Sequence, residues 1–168
     1  MSVRPFVMWP DARLRTPCDP VAAVDDAVRA IWGDMIDTME AMPGQGVGLA
    51  ACQIGVMQRL AVVDASEDRG QAVRMAKPVL IARSGSLRAH EEASPNLPGI
   101  WARLERPETV EVRYIDEAGD EVQRLFEGLW STSVQHQIDH LDGQVYIDRL
   151  SRTKRQMLLR RYQKLRKG

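Results

Sequence analysis

The sequence predicts an α+β fold, and three features carry that prediction. An amphipathic helix is followed by apolar strand-like segments, a period-two hairpin comes next, and two helices close the chain. The strands are expected to be mostly antiparallel and to surround the first of the two closing helices. No internal repeat or low-complexity linker interrupts this order, so residues 1–168 are expected to form one domain. That length buries a core without disulfides or a structural metal.

Each element has a local reason. Residues 24–42, VDDAVRAIWGDMIDTMEAM, place Val28, Ile31, Trp32, Met35, Ile36 and Met39 on one helical face. Asp25 or Asp26 can cap its start, and Pro43-Gly44 ends it. Segments 58–66 (QRLAVVDAS) and 77–85 (KPVLIARSG) read as buried strands. Residues 108–128 alternate with a period of two on either side of Glu117-Ala118-Gly119-Asp120, which predicts a hairpin. A helix is expected from about 129 to 141, closed by Gly143. The last helix, about 151–168, carries Leu158, Tyr162 and Leu165 as a narrow apolar stripe.

Cys18 and Cys52 stand in no CxxC or zinc-finger spacing, so a disulfide framework is not expected and a reducing compartment fits. The segment MSVRPFVMWPDARLR has no apolar run long enough for a secretion signal, and nothing later approaches a membrane span. A cytoplasmic protein with no membrane partner is the expectation. The zero net charge hides an asymmetry: residues 151–168 hold eight Lys and Arg and no acid, leaving 15 basic against 23 acidic residues before them. Such a tail either lies as a solvated helix on the acidic body or serves as an arm for an anionic partner such as RNA. DNA is not expected as a partner.

Three short segments could carry chemistry. In VQHQIDHLDG (134–143), His136 and His140 are one helical turn apart and can face one metal ion. Two ligands are fewer than a catalytic zinc normally takes, and the residue after the first histidine is Gln137, which cannot act as a base. In GQGVGLAACQIG (44–55), closely spaced glycines suggest backbone held near a ligand before the chain enters a strand, or simply a tight loop. It is not a phosphate loop, because no GK[ST] follows. The third, EEASPNLPG (91–99), reads as a loop.

Taken together, these segments resemble the peptide deformylase family, which removes the N-formyl group from nascent chains. The family's G-φ-G-L-A-A-x-Q motif stands complete as Gly46-Val47-Gly48-Leu49-Ala50-Ala51-Cys52-Gln53. Its E-G-C-L-S motif aligns with Glu92-Ala93-Ser94-Pro95-Asn96, where only the glutamate matches. Its Q-H-E-x-D-H motif reads Gln135-His136-Gln137-Ile138-Asp139-His140. PDARLR, RPETVEVRYIDEAG and HLDGQVYIDRLS extend the likeness over nearly the whole chain.

The resemblance implies a metal, iron(II) or zinc, held by Ser94, His136 and His140, where the family has a cysteine in place of the serine. A serine hydroxyl is a poor substitute for a soft, anionic thiolate, so no tightly bound metal is expected. Gln137 stands where the family has its glutamate base. Gln53 is the retained side-chain oxyanion donor, but the family's backbone N–H donor falls at Pro95, which has no N–H. Ligand, base and donor are thus altered together. The expectation is an inactive or strongly impaired deformylase-like protein that retains peptide N-terminus binding through Gly46, Val47, Gly48, Leu49 and Pro95. The alternatives are an active metal-dependent deformylase with an unusual metal site and a ribosome-binding protein acting through the basic tail. Cys52 and His90 are expected to be a buried free thiol and a solvated loop histidine, and Asp139 to pair with neighbours.

Overall fold

The structure, a computed structural model, describes residues 2–168. Asp25 accepts a hydrogen bond from the Val28 N–H (2.9 Å) and starts helix α1, Asp26–Glu40. Its apolar face buries Trp32, Met35 and Met39 completely against Leu49, Leu60, Val62 and Ala76. Ile31 and Ile36 flank that core, as the spacing predicts.

Five strands form one antiparallel sheet in the order β1 (Gly48–Ala50), β2 (Leu60–Val63), β3 (Val73–Arg83), β6 (Thr109–Ile115), β7 (Glu121–Glu127). The β6–β7 hairpin closes where Asp116 accepts from the N–H groups of Ala118 and Asp120, with Gly119 at φ +85. A separate two-stranded sheet pairs β4 (Leu87–Glu92) with β5 (Ala102–Pro107). Helix α2, Gly128–Leu141, is buried from Ser131 to Leu141 and packs on the first sheet through Val134 and Ile138. Gly143, at φ +79, lies two residues beyond it, where an added Cβ would stand 2.8 Å from the Arg15 carbonyl oxygen. Helix α3, Arg152–Lys167, seals a third core of Leu97, Ile100, Leu104, Tyr146 and Ile147 with the buried Tyr162.

The structure corrects four local expectations. Segment 77–85 is not a buried strand: β3 begins at Val73, and Val79 and Ile81 are exposed at 40% and 36%. The glycine-rich segment contributes β1 itself and then a 3₁₀ turn, Ala51–Ile54, rather than a loop alone. Strands β4 and β5 were not foreseen. Their residues are rich in Arg, Glu and His, and some of those charges point inward. Leu165 is 53% exposed instead of completing the tail's stripe; Leu158 and Leu159 pack beside Tyr162.

Candidate functional site

A cavity of about 200 Å³ opens between the β1 segment, the end of β4 and the first turns of α2. Gly46, Val47, Gly48 and Gln53 form one wall, His90 to Ala93 and Pro95 another, and Thr132, Ser133, His136 and Gln137 the floor. The three motif segments are therefore brought together. Gly48 is required here by close approach: a Cβ would lie 2.7 Å from Gln137 Nε2 and closer still to Ser133 Oγ, which donates to the Val47 carbonyl (2.8 Å).

The two histidines converge. His140 Nε2 lies 3.1 Å from His136 Nε2, and His136 Nδ1 lies 2.8 Å from Glu92 Oε1. A carboxylate only accepts, so with both rings neutral His136 carries its proton on Nδ1, and its Nε2 accepts from His140. His140 Nδ1 is then left bare, buried and without a partner. Burial, and after it the nearness of His136 and Arg106, holds His140 well below the ordinary histidine range.

Beneath this pair lies a charge network. Arg106, 1% exposed, donates to both oxygens of Glu92 (2.6 and 2.9 Å) and to Asp139 (3.0 Å). Arg149 forks onto Asp139 with two bonds of 2.7 Å. Burial would raise the Glu92 pKa; hydrogen bonds from His136 and Arg106 outweigh it and bring it to about 2. Glu92 thus stays ionised and fixes the His136 ring, an outer-shell role that orients metal-binding histidines in general.

Ser94 is occupied otherwise. Its hydroxyl donates to Asn96 Oδ1 (3.0 Å) and receives Gln53 Nε2 at 3.4 Å. Asn96 also accepts from Gln53 (2.7 Å) and donates to the carbonyls of Gln53 (3.2 Å) and Val7, tying the N-terminal segment to this loop. Gln53 accepts from the Ala50 N–H (2.9 Å) and is fully spent on the scaffold and Ser94. Gln137 is 4% exposed, and its Oε1 has no partner.

A metal ion fits this donor set only in part. Two nitrogens sharing a zinc at ordinary distances lie roughly 3.3 Å apart, so the 3.1 Å approach of the imidazoles suits two ligands of one ion. The donor set stops there: Ser94 is a neutral hydroxyl held by Asn96. Among the described residues no group of three His, Cys, Asp or Glu side chains is arranged to share an ion. The residues do not make a three-ligand catalytic centre.

Several expectations at the site need correcting. Leu49 lies fully buried in the core against α1 and does not line the cavity. His90 is not in a solvated loop; it sits in β4 on the cavity wall, with Nδ1 buried. Cys52 is the buried thiol expected, donating to the His140 carbonyl (3.3 Å) beside Cys18. Asp139 pairs with arginines as expected. Asn96, Arg106 and Glu92 hold the site together through contacts that no sequence motif signals. Period-two spacing of Arg88, His90 and Glu92 was the available signal for that strand.

The sequence model described as polypeptide deformylase matches residues 3–156. A peptide deformylase of Rhizorhabdus wittichii is 39% identical over all of this chain and 98% of its own length. A protein of Agrobacterium fabrum named peptide deformylase-like is 40% identical over 99% of both chains. Among solved structures, a peptide deformylase of Legionella pneumophila superposes with a TM-score of 0.90 at 35% identity, covering 99% of this chain and 96% of its own. The Ehrlichia chaffeensis peptide deformylase in complex with actinonin gives 0.91 at 32%, covering both chains fully. With its three motif segments gathered around one cavity and these likenesses over its whole length, the chain belongs to the peptide deformylase family.

Proposed function

We propose that this chain is a one-domain member of the family that holds a peptide N-terminus but removes N-formyl groups slowly or not at all. The observation that carries this reading is Gln137, buried on the cavity floor beside His136 where a base is needed. A carboxamide cannot take a proton from water, and positioned acid–base catalysis contributes roughly 10²–10⁴ in rate. Ser94, already bonded to Asn96, and Pro95, without an N–H, weaken the metal and oxyanion functions at the same time. Iron(II) or zinc, if taken up by His136 and His140, would supply Lewis-acid polarisation of the formyl carbonyl. Neither ion is expected to be tightly retained. The cavity walls at Gly46–Gly48 and Pro95 support retained peptide binding.

A second reading, an active metal-dependent deformylase with an unusual metal site, is favoured by the names of the relatives and by the convergence of the two imidazoles. Elemental analysis after mild chelation, combined with formate release from N-formyl-Met peptides, separates the two. Near-stoichiometric metal with rapid turnover lost on His140→Ala supports the second reading; little metal and background turnover supports the first.

A ribosome-binding role rests on the tail. Of its eight cations only Arg155 is part-buried, paired with Asp148 at 3.1 Å, and the other seven are exposed. Such a helix suits an RNA partner in the cytoplasm. No helix among the described residues is long and apolar enough to cross a membrane.

A further inference from the structure

The chain has two cysteines, far apart in sequence, and the fold sets them side by side in one small cluster with Ala50, Ala61 and Leu141. The end of helix α2 brings them there through two successive carbonyls. The Leu141 oxygen accepts from the Cys18 backbone N–H (2.9 Å), and the His140 oxygen accepts from the Cys52 thiol (3.3 Å). The sulfurs are also hydrogen-bond neighbours, so the single proton of Cys52 has two acceptors in reach, His140 O and Cys18 Sγ. Both backbones are anchored. Asp19 donates to the Met57 carbonyl (3.1 Å) and accepts from the Arg59 N–H (2.8 Å), and the Cys52 carbonyl accepts from the Gly55 N–H (3.0 Å).

The two thiols are not equivalent. Cys52 is fully buried, whereas Cys18 is 7% exposed, so a small oxidant meets Cys18 first. The hydrogen bond from Cys52 holds Cys18 below the ordinary thiol range, and Arg59 adds to this against burial and the carboxylates of Asp19 and Asp142. The thiolate is the form that peroxides oxidise.

We propose that Cys18 and Cys52 are a modification site at which hydrogen peroxide closes a reversible disulfide between the N-terminal segment and the turn that carries Gln53. The Cys18 sulfur takes one oxygen from the peroxide, becoming a sulfenic acid and releasing water. The Cys52 sulfur then attacks it; the S–S bond forms, the S–OH bond breaks, and the hydroxide leaves with the Cys52 proton as a second water. Two thiols lose two electrons and one peroxide gains them. The His140 carbonyl loses the Cys52 proton but keeps the Gly143 N–H (3.0 Å), so the end of α2 stays capped. A low-molecular-weight thiol reverses the reaction by exchange. The closed ring, residues 18–52, takes in helix α1 and the cavity wall at Gly46–Gly48.

Intact-mass spectrometry after alkylation in denaturant tests this on the full chain treated with hydrogen peroxide. The untreated chain, with both thiols free, should take up two alkyl groups. The treated chain should take up none, weigh two hydrogens less, remain a single chain and yield a Cys18–Cys52 cross-linked peptide. Its melting temperature should rise by at least about 5 °C, because the ring restricts the unfolded chain, and dithiothreitol should undo the rise. Cys18→Ala should leave Cys52 open to alkylation after peroxide, and Cys52→Ala should carry Cys18 on to sulfinic acid for want of a partner. If either variant does not fold, the cross-link map of the unsubstituted chain decides alone. Two free thiols after peroxide, an over-oxidised Cys18 beside a free Cys52, or disulfides between chains overturn the proposal. A Cys18–Cys52 disulfide that lowers the melting temperature overturns it equally, since sulfurs already set to join need no distortion of the fold.

Discussion

Replacing Arg106 by methionine removes the guanidinium held between Glu92 and Asp139. Glu92 would keep one partner, His136, and Asp139 would keep the fork from Arg149. Methionine fills much of the same space, so the loss is electrostatic more than steric. Breaking a buried ion pair by removing one partner costs about 3–5 kcal/mol; the retained Arg149 fork places this case near ~3 kcal/mol. That is a large part of the roughly 5–15 kcal/mol of a typical domain. Urea denaturation followed by circular dichroism measures it, with an unchanged slope marking a change in stability alone. Arg106→Lys should fall between, because an ammonium cannot fork onto a carboxylate. The double variant Arg106→Met/Glu92→Gln should recover part of the loss by removing the stranded charge. A loss below about 1 kcal/mol, or a double variant no more stable than the single one, would refute the reasoning.

Three further outcomes follow from the same structure. Gly48→Ala drives a methyl to within 2.7 Å of Gln137 Nε2 and should destabilise by about 1–3 kcal/mol, read by thermal melting, while weakening peptide binding. For Asp148, burial alone would raise the pKa, but hydrogen bonds from Arg15 and the Val145 N–H, with the charge of Arg155, hold it below the ordinary aspartate range. A depressed folded pKa adds stability above the unfolded value near 3.9 that is lost as pH falls; Asp148→Asn should cost about 1 kcal/mol at pH 7 and flatten acid melts below pH 5. If the tail meets ribosomal RNA through four phosphates, pelleting with ribosomes should weaken with a log–log salt slope of about −3 to −4. Arg160→Glu/Arg161→Glu/Lys164→Glu should abolish it, and no association at low salt would refute the partner.

What could be read in the sequence was what a periodic pattern displays. Helix α1 and the β6–β7 hairpin were legible because one face of each is apolar and the other polar. Strands β4 and β5 were not, because Arg106 and Glu92 point inward and satisfy each other, which reverses the usual pattern. The exposed end of β3 carries Val79 and Ile81, residues that suggest burial the fold does not give them. At the site, spacing alone could bring His136 and His140 together. The contacts that occupy Ser94, and the cavity position of His90, join residues from different elements and became visible only in three dimensions.

Formate release from N-formyl-Met-Ala-Ser by this chain and by its Ser94→Cys/Gln137→Glu variant, with Pro95→Leu added in a third protein and each supplied with iron(II) or zinc, decides whether the lost base and thiolate silence the site. Near-background turnover is expected for the unsubstituted chain, with a gain of at least about 10³ in kcat/KM once base and thiolate are restored, since the base alone contributes roughly 10²–10⁴. Turnover by the unsubstituted chain within about tenfold of an active family member, a deficit too small for a missing base, would contradict it.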